Sequence, residues 1–322
     1  MTISGKFRQF LATVFALSLS VFASPALAQD YPTRAITIYT SGTGGPSDLA
    51  ARLLAPALKE MLGKTVIVQN RPANLLVEEL AKQKPDGYSL MIGGNSAWTG
   101  PLMRKAGYDA QKDLAPISLL VIQPMLVLAG PTSGINSVND LVAKAKANPG
   151  QLRYAASGIG GPSHLAAELF KSVAGLNIEG VFYKSNAEQQ MGVMRGEADI
   201  NFGIAATAKN LVDQGMLKAL AVSTLEPTSL VPGSPTIASS IPGYEFSSMT
   251  VMFAPAKTPD AIIRKINEAV VKVMTQPDVK EKLLALGAEV VASSPEQLGV
   301  VMADDIKRIG KVIADANIVL KE

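Results

Sequence analysis

The chain has 322 residues, with 30 Lys and Arg against 27 Asp and Glu, one His and no Cys. A formal charge of +3, with no Lys/Arg cluster, excludes nucleic-acid binding by bulk charge. The missing thiols exclude disulfides and lipid attachment at a processed N-terminal Cys, and a lone His without clustered acids leaves no metal or other cofactor to be expected.

The first residues read as an export signal. Lys6 and Arg8 form a short basic start, Phe10–Phe22 an apolar stretch too short to span a bilayer, and Ala26-Leu27-Ala28 a small-x-small cleavage pattern. Cleavage after Ala28 would leave a mature chain from Gln29 with a charge of +1 (3 − 2), most simply in a bacterial periplasm. Ala35–Thr40 then reads as a strand, followed by the segment SGTGGPSDLAARL at Ser41–Leu53. That segment returns as SGIGGPSHLAAEL at Ser157–Leu169, behind the strand-like Leu152–Ala156, with ten of thirteen positions identical at an offset of 116 (157 − 41). Its glycines allow positive φ and close approach of a ligand, and Pro46 and Pro162 suit a first helical position. A helix start offers unpaired N–H groups and the positive dipole end to an anion. One such turn is weak evidence, because α/β proteins use tight turns everywhere. Two suggest a cleft that grips a small anion from both sides. Neither copy has the Lys-Ser/Thr pair of a Walker A loop or the G-x-G-x-x-G spacing, so no nucleotide is expected.

Between and beyond the copies, strand and helix alternate. Thr65–Gln69, Tyr88–Ile92, Ile178–Tyr183, Ala198–Phe202 and Leu217–Ser223 read as strands; Val77–Gln83, Val138–Ala147 and Ala187–Arg195 read as helices. The long apolar run Ser118–Ala129 is interrupted by Gln123-Pro124 and reads as two strands, the second leaving one domain for another. Met249–Pro255 reads as the strand that crosses back, before helices over Asp260–Met274, Val279–Leu286 and Pro295–Ala314. The pattern predicts a two-domain α/β fold with mixed, mostly parallel sheets and two crossing strands at a hinge. After the leader at 1–28, the first domain takes 29–127 plus 252–322 and the inserted second domain 128–251.

Spaced motifs along the mature chain carry a family resemblance. They include Tyr31-Pro32, Gly44-Gly45 with Asp48, Asn70-Arg71-Pro72, Pro85-Asp86-Gly87-Tyr88, Asn148-Pro149-Gly150, Tyr154–Ser163 with His164-Leu165, Tyr183-Lys184 and Pro242-Gly243-Tyr244. In their order the chain resembles the Bug family, the periplasmic substrate-binding proteins of tripartite tricarboxylate transporters. The resemblance implies a type II-like, non-catalytic receptor that closes on a small carboxylate, mono- or dicarboxylate, aliphatic or aromatic. Its partners would be that ligand and the membrane subunits of such a transporter, with no nucleic acid, and the receptor would be a monomer. Departures bear on the ligand: Ala73-Asn74-Leu75-Leu76 replaces a Gly-rich stretch, Ser185 a Gly, and Gly203 a place where many members have Asp. The absence of that acid disfavours an amino-acid ligand.

The candidate ligand contacts are Thr43, Gly44, Gly45 and Ser47 in the first turn, and Ser157, Gly160, Gly161, Ser163 and His164 in the second. Asn95, Ser96 and Trp98 follow a strand end, and Tyr183 and Gly203 complete the set. His164 either donates to a carboxylate or caps its own helix. Asp48, in the matching place, would repel a carboxylate and reads better as a cap on its own turn. Trp98 either covers the ligand body or packs in the core. Two rival functions use the same residues: an exported hydrolase or transferase using Ser163 and His164, and a ligand sensor for a membrane kinase.

Overall fold

The computed structural model describes residues 31–73 and 75–320; the expected leader and its cleavage site lie outside them. Strands β1 (Ile36–Thr40), β2 (Val66–Asn70), β3 (Ser89–Gly94), β4 (Leu114–Ala129), β5 (Arg153–Ala156), β6 (Glu179–Phe182), β7 (Ile200–Ile204), β8 (Lys218–Val222), β9 (Ser247–Pro255) and β10 (Glu289–Val290) form one connected array. The helices are α1 (Pro46–Leu62), α2 (Leu76–Ala81), α3 (Ser96–Met103), α4 (Ala110–Asp113), α5 (Val138–Ala147), α6 (Pro162–Ala174), α7 (Asn186–Met194), α8 (Ala205–Asp213), α9 (Asp260–Met274), α10 (Pro277–Ala285) and α11 (Pro295–Asp315). A first sheet runs β2-β1-β3-β9-β4 with β10 beside β4, and a second runs β4-β7-β5-β6 with β8 beside β4. Strands joined by helical crossovers are parallel, as such connections require, whereas β4 and β9 pair antiparallel at the centre.

Where the sequence suggests a break at Gln123-Pro124, β4 is a single 16-residue strand. Its residues Leu114–Pro124 pair with β9, and Met125–Ala129 pair with β7 and β8. A proline cannot donate to a ladder, and Pro124 stands where one ladder ends and the next begins.

Alternation along the strands fills both faces of each sheet. In β3, Leu90 and Ile92 join a core under α1 and α9, while Met91 faces α2 and α3. In β4, Val127 and Ala129 pack with α5 and α6, while Leu126 and Leu128 face the side of α7 and α8. Helix α11 belongs to both halves. Leu298 and Met302 pack with the first sheet, but Ile309, Val312 and Ile313 pack into the core of the second. Helix α11 thus contributes to the packing on both sheets.

Helix α3 was hidden in the sequence by Gly100-Pro101. Pro101 has no N–H for the Ala97 carbonyl, and the Tyr108 hydroxyl donates to that carbonyl instead at 2.9 Å. Within α3, Trp98 is 1% exposed, stands edge-on to Phe253 at 6.2 Å between centroids, and donates from Nε1 to Asp305 Oδ2 at 2.7 Å. Of the two readings of Trp98, these contacts match core packing: its indole fastens α3 to α11. Burial pushes the Asp305 carboxyl above its ordinary range, against the opposing pull of Trp98 and Arg308. Trp98→Ala should cost about 3–5 kcal/mol in denaturant unfolding; a loss under about 1 kcal/mol would contradict this core role.

Candidate functional site

The duplicated segments fold alike. Each glycine-rich turn leads from a strand into a helix whose first residue is proline, with Gly45 and Gly161 as extended N-caps at φ −75° and −73°. A left-handed backbone falls one residue earlier, at Gly44 (φ +80°) and Gly160 (φ +71°), and Gly158 (φ +103°) also has positive φ, so these positions favour glycine. In both turns the side chain four residues on folds back to the glycine N–H. Gly44 donates to Asp48 Oδ2 at 2.9 Å, and Gly160 donates to His164 Nδ1 at 2.8 Å. An acid and an imidazole thus do the same work, because the task needs only an acceptor.

Each acceptor is held differently. Asp48 also takes Arg52 Nε at 3.0 Å and Asn70 Nδ2 at 2.8 Å. The bonds from Arg52 first, then from Gly44 and Asn70, bring its carboxyl down to about 2. His164 is 6% exposed, beside Tyr154 and edge-on to Phe182. Since an amide N–H can only donate, Nδ1 must be unprotonated and the proton sits on Nε2, which faces Glu168 Oε1 at 3.9 Å. Burial lowers its pKa, outweighing the opposing pull of Glu168.

A cavity of about 280 Å³ has both Ser41 of the first turn and Gly160 of the second in its wall. The end of β3 and the start of α3 contribute Gly93, Gly94 and Ser96. Leu76, Val77, Met91 and Met103 make the apolar walls, and Arg104 and Tyr108 the remaining polar ones. Burial pushes the Tyr108 hydroxyl up to about 12. A second cavity of about 190 Å³ lies on the other side of the first turn, between Gly44, Pro46, Ile204, Ala206 and Leu283. Glycines allow the halves to come close at both places. A Cβ at Gly160 would stand 2.6 Å from Met103 Sδ, and one at Gly287 1.9 Å from Ala206 Cβ.

Of the residues singled out from sequence, Ser96 and Gly160 line the first cavity and Gly44 the second. Thr43 is exposed on its turn, and Ser47 is buried at the start of α1. Ser163 Oγ accepts the Ser157 N–H at 3.0 Å, and Ser157 Oγ donates to Asn186 Oδ1 at 2.7 Å. Asn95 is half-buried and reaches toward Asp305. Tyr183 donates to Glu197 at 3.0 Å, and Gly203 is buried inside β7. Arg104 and Tyr108 were not singled out. A basic residue ten positions beyond the end of β3 carries no motif, and only recognition of α3 would have drawn notice to it.

Two titrations test the turn geometry. The single imidazole should titrate by NMR with a midpoint below 6.5, and a midpoint at or above 6.5 would contradict the buried acceptor role. The neutral form is the one the fold prefers, so this contribution to stability is full above 6.5 and declines as pH falls below it. Asp48 has the opposite charge sense. Its lowered value stabilises the fold above the unfolded value of about 3.9 and loses that contribution as pH falls toward 2. Asp48→Asn should flatten the stability profile between about pH 4 and 2; an unchanged slope would contradict it.

Among the described residues no helix is long and apolar enough to cross a membrane. The family model described as "Tripartite tricarboxylate transporter family receptor" matches residues 50–318. A UPF0065 protein of Bordetella bronchiseptica is 32% identical across 98% of this chain and 95% of its own. The R. palustris protein Rpa4515, solved with adipate, superposes with a TM-score of 0.73 at 31% identity, covering 90% of this chain and 99% of that one. MatC from Rhodopseudomonas palustris, solved with bound malate, gives 0.69 at 26% identity, covering 88% and 100%. With its α/β architecture of mixed sheets, the chain belongs to the tripartite tricarboxylate transporter family of receptors.

Proposed function

We propose that this receptor is exported with removal of its leader, binds a small organic carboxylate between its two halves, and delivers it to the membrane subunits of its transporter. The observation that carries this reading is the cavity shared by Ser41 and Gly160, one residue from each copy of the turn. Each copy leads into a helix start, whose free amides would serve as donors. Because Pro46 and Pro162 have no N–H, the first free donors of α1 and α6 are the amides of Ser47, Asp48, Ser163 and His164. The adipate- and malate-bound relatives support a carboxylate as the ligand class. Closure on the ligand would turn about β4, which pairs in both sheets, and the start of β9 beside it. The receptor would act as a monomer.

The rival hydrolase reading gains no support from the geometry. His164 Nδ1 is taken by the Gly160 N–H and Nε2 faces Glu168, so neither nitrogen is placed to accept a proton from Ser163. Calorimetric titration of the mature chain with malate and with adipate should show saturable binding of at least one, without added metal. Mass analysis should return the acid intact. No binding of either acid, or turnover abolished by Ser163→Ala, would overturn the proposal.

A further inference from the structure

The cavity that holds Ser41 and Gly160 has two polar ends and an apolar middle. Ser41, Gly94 and Ser96 stand at the end where α3 starts. Gly160 and Arg104 stand where α3 finishes, since Gly160 lies against Met103 and Arg104 follows it directly. The helix axis between Ser96 and Arg104 covers roughly 12 Å, eight residues at about 1.5 Å each. Between the ends the wall is hydrocarbon: Leu76, Val77, Met91 and Ala97, each buried and all part of one packed cluster. Tyr108 presents its ring, its hydroxyl being donated to the Ala97 carbonyl.

Arg104 is the one charged side chain in this lining. It is half-buried and makes no ion pair or side-chain hydrogen bond among the described residues. Glu78, an acid on the same side, lies outside the lining and takes the Gly107 N–H at 3.1 Å. An unpaired guanidinium at the end of an apolar chamber is matched to a carboxylate, which it can hold with two parallel hydrogen bonds.

We propose that Arg104 reads a second carboxylate, so that the preferred ligand is an α,ω-dicarboxylate with an unsubstituted hydrocarbon spacer lying along α3. This rests on the carboxylate-receptor reading and narrows it. One carboxylate sits at the Ser41–Ser96 end, the methylenes lie against Leu76, Val77 and Met91, and the other carboxylate meets Arg104 beside the second turn. A hydroxyl on the spacer finds no partner along that wall, and an uncompensated buried polar group weakens binding.

The test is calorimetric titration of wild type, Arg104→Gln and Arg104→Lys with succinate, adipate, malate and hexanoate; hexanoate matches adipate in carbon number but has one charge. In wild type, adipate should bind at least tenfold more tightly than hexanoate and more tightly than malate. Arg104→Gln should remove the adipate advantage while leaving hexanoate within about threefold of its wild-type affinity, and Arg104→Lys should restore part of it. Circular dichroism and melting of each variant establish folding, and hexanoate affinity reports an intact cavity. Equal weakening of adipate and hexanoate, or weakening of neither, would overturn the role of Arg104 while leaving the carboxylate reading in place. Tighter binding of malate than adipate would overturn the hydrocarbon spacer. Failure of all four acids to bind wild type would overturn the carboxylate reading and this one with it.

Discussion

The cleft depends on a hydrogen bond that each turn makes to itself. A backbone glycine in the left-handed region sends its N–H to the side chain four residues on, at Asp48 in one copy and His164 in the other. That bond ties each turn to the first turn of its own helix. Without it, a turn of small residues would have many conformations to lose on binding, and ordering each residue costs about 1–2 kcal/mol. The two turns are therefore held in one conformation by their own bonds, and an ordered turn has less freedom to lose.

The two acceptors solve the same geometric problem under different electrostatic constraints. Asp48 carries a negative charge at its own helix start, and the guanidinium of Arg52 and the amide of Asn70 take up its lone pairs. His164 stays neutral, in an apolar setting of Tyr154 and Phe182, and adds no charge to the cleft. Around the 280 Å³ cavity, Arg104 is the one cation among the described lining residues, and the packed cluster under α3 supplies hydrocarbon.

Much of this was legible in the amino-acid sequence. The repeat at an offset of 116 located both turns and their helices, and Asp260–Met274 matches α9 residue for residue. What escaped was structure whose signals compete. Gly100-Pro101 reads as a breaker, yet the Tyr108 hydroxyl repairs the lost bond and α3 forms. Helix α8 begins at Ala205 directly after β7, with no loop to mark it. Gln123-Pro124 reads as a gap between strands, but a change of ladder partner absorbs the missing donor. Trp98 offered no sequence signal to separate a ligand cover from a core anchor; only the position of Asp305, 207 residues away, decides it.

The proposed ligand capture requires the two turns to act as halves of one site. The most direct measurement is calorimetric titration of adipate into wild type, Gly44→Val and Gly160→Val, with melting curves to confirm that each variant is folded. A branched side chain cannot hold the left-handed backbone that both glycines adopt, so each substitution should lose at least tenfold in affinity, and by comparable factors although they lie in different halves of the chain. If a folded Gly44→Val or Gly160→Val keeps wild-type affinity while the other loses it, the ligand is held from one side only and the paired turns do not form one site.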